Sequence, residues 1–192
     1  MNAKKDFLIV DFEFTQYLKP VGKPRAFFSE IIEIGCVKID GDTLETVGQL
    51  QNFVKPHFFP NHVADSLAFC MITEADMKTA IDFNTMLERL ESLYSPGETY
   101  FVSWGNEDYR VLKQGCERHA VPKIFSHEDY LDLAAVYKQL KGAERTIGLK
   151  AAAEELEVDT GGLWHTAYDD ANNTSKILLK LLADGWMPGA VI

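Results

Sequence analysis

The chain has 192 residues, the usual size of one domain, and 46% of them are hydrophobic, enough to bury a sizeable core and to exclude a disordered spacer. With 19 basic and 29 acidic side chains its formal charge is −10, which repels nucleic acid at long range and excludes a protein that coats long duplexes. An enzyme that captures one chain end at a cationic centre escapes that exclusion, because two divalent ions bring four positive charges to the one point where a phosphate must sit.

Phe7 to Phe14 reads as a strand, apolar and rich in Phe, Ile and Val. Its apolar part stops at Asp11 and Glu13, too short for a signal peptide, and no other run is long enough to span a membrane. Lys19 to Arg25, with two prolines and a glycine, reads as a loop. Glu30 to Ile39 is predicted as a second strand, with Asp40-Gly41-Asp42 as the hairpin turn into a third at Leu44 to Val54. Pro56 to Asp76 reads as irregular with short helical pieces. Asp82 is placed to cap a helix running to about Tyr94, ended by Ser95-Pro96-Gly97. A short buried-type strand, Thr99 to Ser103, leads through Trp104-Gly105-Asn106 into a helix reaching about His119. Leu131 to Leu140, Gly148 to Leu156 and about Tyr168 to Ala183 complete the helices. Three strands followed by helices alternating with strands predict one α/β domain over residues 1–192, a mixed sheet flanked by helices. Cys36, Cys70 and Cys116 are widely spaced with no C-x-x-C pair, which predicts buried thiols in a reducing compartment and a cytoplasmic protein.

The chemistry begins at Asp11 and Glu13. Residues two apart on a strand share a face, and two acids on one face of an apolar strand are costly to bury unless a cation lies between them. Taken alone, the pair also fits a strand end whose acids meet water. Two later helices add to it. At helical spacing from Asp108 lie Val111, Leu112, Gly115, Cys116 and His119, an apolar stripe, whereas Glu107 aligns with Arg110, Gln114, Glu117 and Arg118. Asp108 is therefore the inward acid. In the last helix Asp170 aligns with Thr174, Ile177, Leu178 and Leu181, while Asp169 aligns with Asn172, Asn173, Lys176, Lys180 and Asp184 on the expected solvent stripe. Four inward acids need a common partner, and an oxygen-rich set suits Mg²⁺ or Mn²⁺, two ions per site, with no cysteine–histidine cluster to favour zinc. Such a pair, about 3.5–4 Å apart, clamps the attacking and leaving oxygens of a phosphoryl transfer. His165, five residues before Asp170, is the candidate general base. Phe14 and Thr15, beside the first acids, are candidates for contact with a terminal nucleotide, by stacking and hydrogen bonding, and Trp104 is a candidate for base stacking. Core packing accounts for Phe14 and Trp104 equally well. Lys19, Lys23 and Arg25 form a basic loop that fits either a backbone guide or plain solvated surface. His57, His62, His119 and His127 read as structural or exposed.

These stretches resemble the DEDDh branch of the DnaQ-like exonucleases. The similarity is carried by Asp11-Phe12-Glu13-Phe14-Thr15, Glu30-Ile31-Ile32-Glu33-Ile34-Gly35, Trp104-Gly105-Asn106-Glu107-Asp108 with Leu112, and His165-Thr166-Ala167-Tyr168-Asp169-Asp170. Phe69-Cys70 and the Thr146 to Leu156 segment are most similar to the branch that holds histone-mRNA 3′ exonucleases and KapD-like bacterial proteins. The resemblance runs from about Asp6 to Gly185. It implies an RNase H-like α/β fold with a five-stranded mixed sheet, Asp11, Glu13, Asp108 and Asp170 as metal ligands, and His165 as base. It further implies a single-stranded RNA or DNA 3′ end as substrate, RNA ahead of DNA, and nucleoside 5′-monophosphates as product. The chain departs from the family pattern at Ala167, where a glycine is common, and at Met71 to Asp76, shorter than the usual threonine-containing segment. Two rival readings stand beside this one. An oligoribonuclease-like enzyme acting on very short oligomers is separated by the length dependence of hydrolysis. A nucleic-acid-binding adaptor that has lost turnover is separated by binding without mononucleotide release.

Overall fold

The computed structural model describes residues 4–19 and 21–189. Asp6–Phe14 forms β1, Ile31–Ile39 β2 and Thr46–Phe53 β3. Two short helices follow, α1 (Ala64–Phe69) and α2 (Glu74–Met77), and then α3 (Phe83–Glu91). The remainder is β4 (Thr99–Ser103), α4 (Glu107–Arg118), β5 (Tyr130–Asp132), α5 (Leu133–Leu140), α6 (Leu149–Glu155) and α7 (Ala167–Ala183). The sheet runs β3-β2-β1-β4-β5, antiparallel between β1 and β2 and between β2 and β3, parallel between β1 and β4 and between β4 and β5. It is the five-stranded mixed sheet flanked by helices that the resemblance implies.

The central strand explains the layering. β1 is covered on both faces, which is why it reads as a continuous apolar run rather than an alternation. Leu8, Val10 and Phe12 point into one core with Met86, Leu87 and Leu90 of α3 and Val111, Leu112 and Cys116 of α4. Phe7 and Ile9 point into the other, with Leu133 and Tyr137 of α5, Ala152 of α6 and Ile177, Leu178 and Leu181 of α7. By the period of two, residues 11 and 13 continue the α7 face just where β1 leaves the core.

Gly35 sets how closely α7 approaches. It pairs with Asp11 in the β1–β2 register, and the first turn of α7 lies directly on it. A Cβ at residue 35 would fall 2.1 Å from the Tyr168 backbone nitrogen and 2.2 Å from the Ala167 carbonyl carbon. The last acidic motif can reach the first because this position has no side chain.

Periodicity misassigned three places. Asp40 N–H bonds the Glu45 carbonyl, and the Asp40 side chain accepts from Asp42 and Thr43, so the hairpin loop runs on past Leu44, which sits at φ 59°. Strand β3 accordingly begins at Thr46 rather than Leu44. Leu131, expected in a helix, belongs to β5; the helix starts one residue after Asp132, whose carboxylate accepts from Ala135 N–H as its cap. The outer face of α7 is covered at its N-terminal end, while Lys180 and Asp184 meet solvent as expected. Asn173, expected in solvent, is 1% exposed and exchanges two hydrogen bonds with Gly161, while Asp169 is half-buried and accepts from Leu163 N–H. A loop folding back onto a helix leaves no mark in that helix's own periodicity.

Gly35→Ala forces the α7 first turn off the sheet. We expect about 1–3 kcal/mol of destabilisation from overpacking, seen as a drop of roughly 2–4 °C in Tm per kcal/mol. An unchanged melting temperature would show that α7 does not rest on this residue.

Candidate active site

Three elements converge at the end of β1. Strand β1 contributes Asp11 and Glu13 on its α7 face, and the β1–β2 register slips between Glu13 and Phe14, a bulge of the kind that re-aims a side chain. Helix α4 contributes Asp108 from the opposite layer. Its Oδ1 accepts the Phe12 backbone N–H at 2.9 Å, which ties the first turn of α4 to the peptide between the two β1 acids. Asp108 is buried whereas Glu107 is exposed, as the stripes of α4 require. The approach to α4 is fixed by Gly105, at φ 88°, whose carbonyl accepts from Ser103 Oγ at 2.7 Å and Tyr130 Oη at 2.8 Å. Helix α7 contributes Asp170, 8% exposed, with Oδ2 accepting His165 N–H at 3.0 Å.

Glu13, His165 and Asp170 each present a ligand atom, all within 4.8 Å of one another. His165 is exposed, and its backbone sits at φ 65°, a left-handed conformation uncommon outside glycine and asparagine and one often held at functional positions. Its ring lies 4.7 Å from that of Phe69 at the end of α1. Phe69 is 55% exposed, a large aromatic surface beside the candidate base.

A fifth acid joins the group. Glu33 pairs with Glu13 across β1 and β2, is 1% exposed, and accepts Ala167 N–H at 3.2 Å and Gln51 Nε2–H at 3.3 Å. It stands at the N-terminus of α7, where Thr166 makes no side-chain cap, and supplies the acceptor and negative charge that a helix start favours. A glutamate in the middle of Ile31-Ile32-Glu33-Ile34 was the sequence signal for it, since an apolar strand carries an acid only where something answers it.

The electrostatics are those of clustered, buried acids. Burial, and then the neighbouring Asp108, Asp170, Glu13 and Glu33, push the Asp11 carboxyl well above the ordinary carboxylate range. Burial raises Asp108 to about 7 despite the Phe12 amide, and Asp170 to about 6 despite the His165 amide. Glu13 and Glu33 are also raised, chiefly by burial. Among the described residues no ion pair reaches Asp11, Glu13, Asp108 or Asp170. Asp170 Oδ1 is buried without a hydrogen-bond partner. Clustered carboxylates with an orphaned oxygen fit a hard divalent cation, whose ligands are oxygens of this kind.

The remaining candidates divide. Phe14 is half-buried against the α3–α4 core and also lines a cavity of about 100 Å³ with Glu13, Gln16, Leu18, Ser66, Phe69 and Cys70. Thr15 is fully buried, and its hydroxyl accepts Glu30 N–H at 2.9 Å. Trp104 is half-buried, donates from Nε1 to the Ile147 carbonyl at 3.1 Å and packs at 5.9 Å from Tyr137.

Comparison with known proteins identifies the family and the fold. The exonuclease family typified by RNase T matches residues 8–178. The chain is 38% identical over 178 residues to the probable 3′–5′ exonuclease KapD of Bacillus subtilis strain 168, covering 91% of this chain and 83% of that protein. It is 26% identical over 189 residues to human ERI1 exoribonuclease 3, covering 94% of this chain but only 55% of that protein. The solved nuclease domain of 3′hExo, a DEDDh family member, bound to rAMP, superposes with a TM-score of 0.79 at 24% identity, covering 96% of this chain and 94% of that one. A 3′-exonuclease solved in specific recognition of a histone mRNA stem-loop 3′ end gives 0.80 at 22% identity, over 95% of this chain and 65% of that one, and both show the same fold. No helix among the described residues is long and apolar enough to cross a membrane. Motifs, sheet order and family match lead to one conclusion: the chain belongs to the RNase T exonuclease family and is a metal-dependent, DnaQ-like 3′–5′ exonuclease.

Proposed function

We propose that this enzyme removes nucleotides one at a time from the 3′ end of single-stranded nucleic acid, RNA ahead of DNA, as nucleoside 5′-monophosphates. The observation that carries the reading is the meeting of Asp11, Glu13, Asp108 and Asp170 with His165 at the end of β1. The preference for RNA is supported by similarity to ERI1 exoribonuclease 3. We assign residues 1–192 to one exonuclease domain and the protein to the cytoplasm, in keeping with three free, buried thiols.

Asp11, Glu13, Asp108 and Asp170 would hold two divalent ions, Mg²⁺ or Mn²⁺, which supply positive charge to the scissile phosphate and acidify the attacking water. The chain's own residues do the rest. His165 takes the proton of that water as its oxygen bonds to phosphorus, and the P–O3′ bond breaks, leaving the new 3′ oxygen to collect a proton. Exposure of His165 lets it pass its proton to solvent before the next cycle. Phe69 and Phe14, flanking the cavity beside Glu13, offer apolar and aromatic surface to the terminal nucleotide. Thr15 acts through its bond to Glu30, holding the strand end, and Trp104 through its bond to Ile147, bracing the loop ahead of α6.

Asp11→Asn keeps size and shape and removes one charge. Hydrolysis should fall by about a thousandfold, the equivalent of several kcal/mol of transition-state stabilisation, in a gel assay of 3′- and 5′-labelled RNA and DNA with Mg²⁺, Mn²⁺ or EDTA. Full activity of the variant at saturating Mg²⁺ would remove Asp11 from the site. His165→Ala should lower the single-turnover rate by about 10²–10⁴-fold while substrate affinity changes little; an unaltered rate would deny it the role of base.

Because the folded state raises the Asp11, Asp108 and Asp170 carboxyls, it holds their protons more tightly than the unfolded chain does. These groups therefore destabilise the metal-free protein progressively as pH rises from the ordinary carboxylate range through the folded-state values, about 6 for Asp170 and about 7 for Asp108, with Asp11 acting in the same direction. Calorimetry without metal should show Tm lower at pH 8 than at pH 5.5, and millimolar Mn²⁺ should restore it by roughly 5 °C at pH 8 and much less at pH 5.5. No metal-dependent rise at pH 8 would contradict the site.

A further inference from the structure

The hydrogen bond that reaches the Glu13 carboxylate comes from a thiol. Cys70 Sγ donates to Glu13 Oε2 at 3.0 Å, and Cys70 itself is 5% exposed in a small apolar cluster with Ile32 and Ile72. Its place is firmly set. Cys70 N–H bonds the Ser66 carbonyl as the last link of α1, Met71 turns the chain at φ 58°, and Ile72 N–H returns to the Leu67 carbonyl. Ser66 then fastens α1 to the exit of β1, its Oγ accepting Gln16 N–H at 2.8 Å and donating to the Gln16 carbonyl at 3.4 Å. The thiol and its acid are thus attached to the same stretch of chain from two sides.

We infer that Cys70 is a positioning residue for cation binding, orienting the Glu13 carboxylate without cancelling its charge; the inference rests on the metal-centre reading above. A lysine or arginine at position 70 would orient Glu13 equally well, but it would neutralise the acid and compete with the incoming ion. A serine or threonine hydroxyl is a stronger donor and also an acceptor. A thiol is neutral and donates weakly, so it selects a carboxylate orientation and yields when an ion claims the oxygen. Phe69, the preceding residue, packs on His165, so one dipeptide at the end of α1 touches both a ligand and the base.

The test is calorimetric titration of the intact protein with Mn²⁺, with no substrate present, on wild type, Cys70→Ala, Cys70→Ser and Ile72→Ala. Loss of an outer hydrogen bond to a ligand should weaken Mn²⁺ binding by about tenfold in Cys70→Ala. Cys70→Ser should recover most of that loss. Ile72→Ala, which opens the same apolar cluster without touching an acid, should lower Tm and leave Mn²⁺ affinity within twofold. Wild-type binding with an unchanged Cys70→Ala affinity overturns the role of Cys70 alone. Equal loss in Cys70→Ala and Ile72→Ala reduces Cys70 to packing and also overturns it. A wild-type protein that binds no Mn²⁺ overturns the metal centre and the role of Cys70 together.

Discussion

Like charges enclosed together are among the least favourable arrangements a folded chain can hold, and this fold is organised around one. Asp11, Glu13, Asp108, Asp170 and Glu33 gather at the end of β1, where burial raises the proton affinity of every one and the neighbouring acids raise that of Asp11 further, with no lysine or arginine paired to the first four among the described residues. Left to repulsion alone they would splay. What prevents it is that three of them are anchored to backbone that cannot move independently, and Glu13 is held by the Cys70 thiol. Asp108 accepts from Phe12, Asp170 from His165, Glu33 from Ala167, and α7 lies flat on the bare backbone of Gly35. The strain is carried by the two cores on either face of β1, and protonation or a bound cation would relieve it. On the metal-centre reading, affinity for divalent ions and destabilisation by ionised carboxylates are one property seen from two sides.

The same anchors explain how much of the molecule was legible from its residues. Sheet content and the inward direction of Asp108 and Asp170 followed from periods of 2 and 3.6, because β1, α4 and α7 each bury a face against something apolar. Chain order alone could not show that α7 doubles back on β2 at Gly35, since close approach requires a glycine without announcing its partner. Asn173 and Asp169 were misread for a related reason. Their polarity satisfies backbone groups of the 159–163 loop, which is invisible to a helical wheel. β5 was folded into the helix after it because three residues give too little alternation to separate a strand from a helix start.

The site residues show the same boundary. Asp11, Glu13, Asp108, Asp170 and His165 are unusual where they stand, acids on apolar stripes and a histidine ahead of a helix, and they can be found by that mismatch. Glu33 carried the same mismatch inside an apolar strand and was passed over because its partner, the N-terminus of α7, lies 134 residues away along the chain. Phe69 and Cys70 carried no mismatch. A phenylalanine and a cysteine at the end of a short helix look like packing, yet in the folded chain one lies against His165 and the other on Glu13.

The surplus of acid over base looks hostile to a nucleic-acid substrate until the acids are followed to their partners. Glu30 accepts from the amides of His57, Phe58 and Phe59; Asp129 accepts from Lys5, Tyr94 and Gly97; Asp82 and Asp132 cap α3 and α5. These carboxylates hold loops in place, and their charge is partly answered by the N–H groups they face. Together with the five at the site, they put a large share of the acidic excess into architecture and chemistry rather than into a uniform repulsive surface. A polyanion still gains little from this protein at a distance. On the two-ion reading proposed above, its attraction would begin at short range, where a phosphate meets cations held by these acids, and that would confine binding to a chain end small enough to enter.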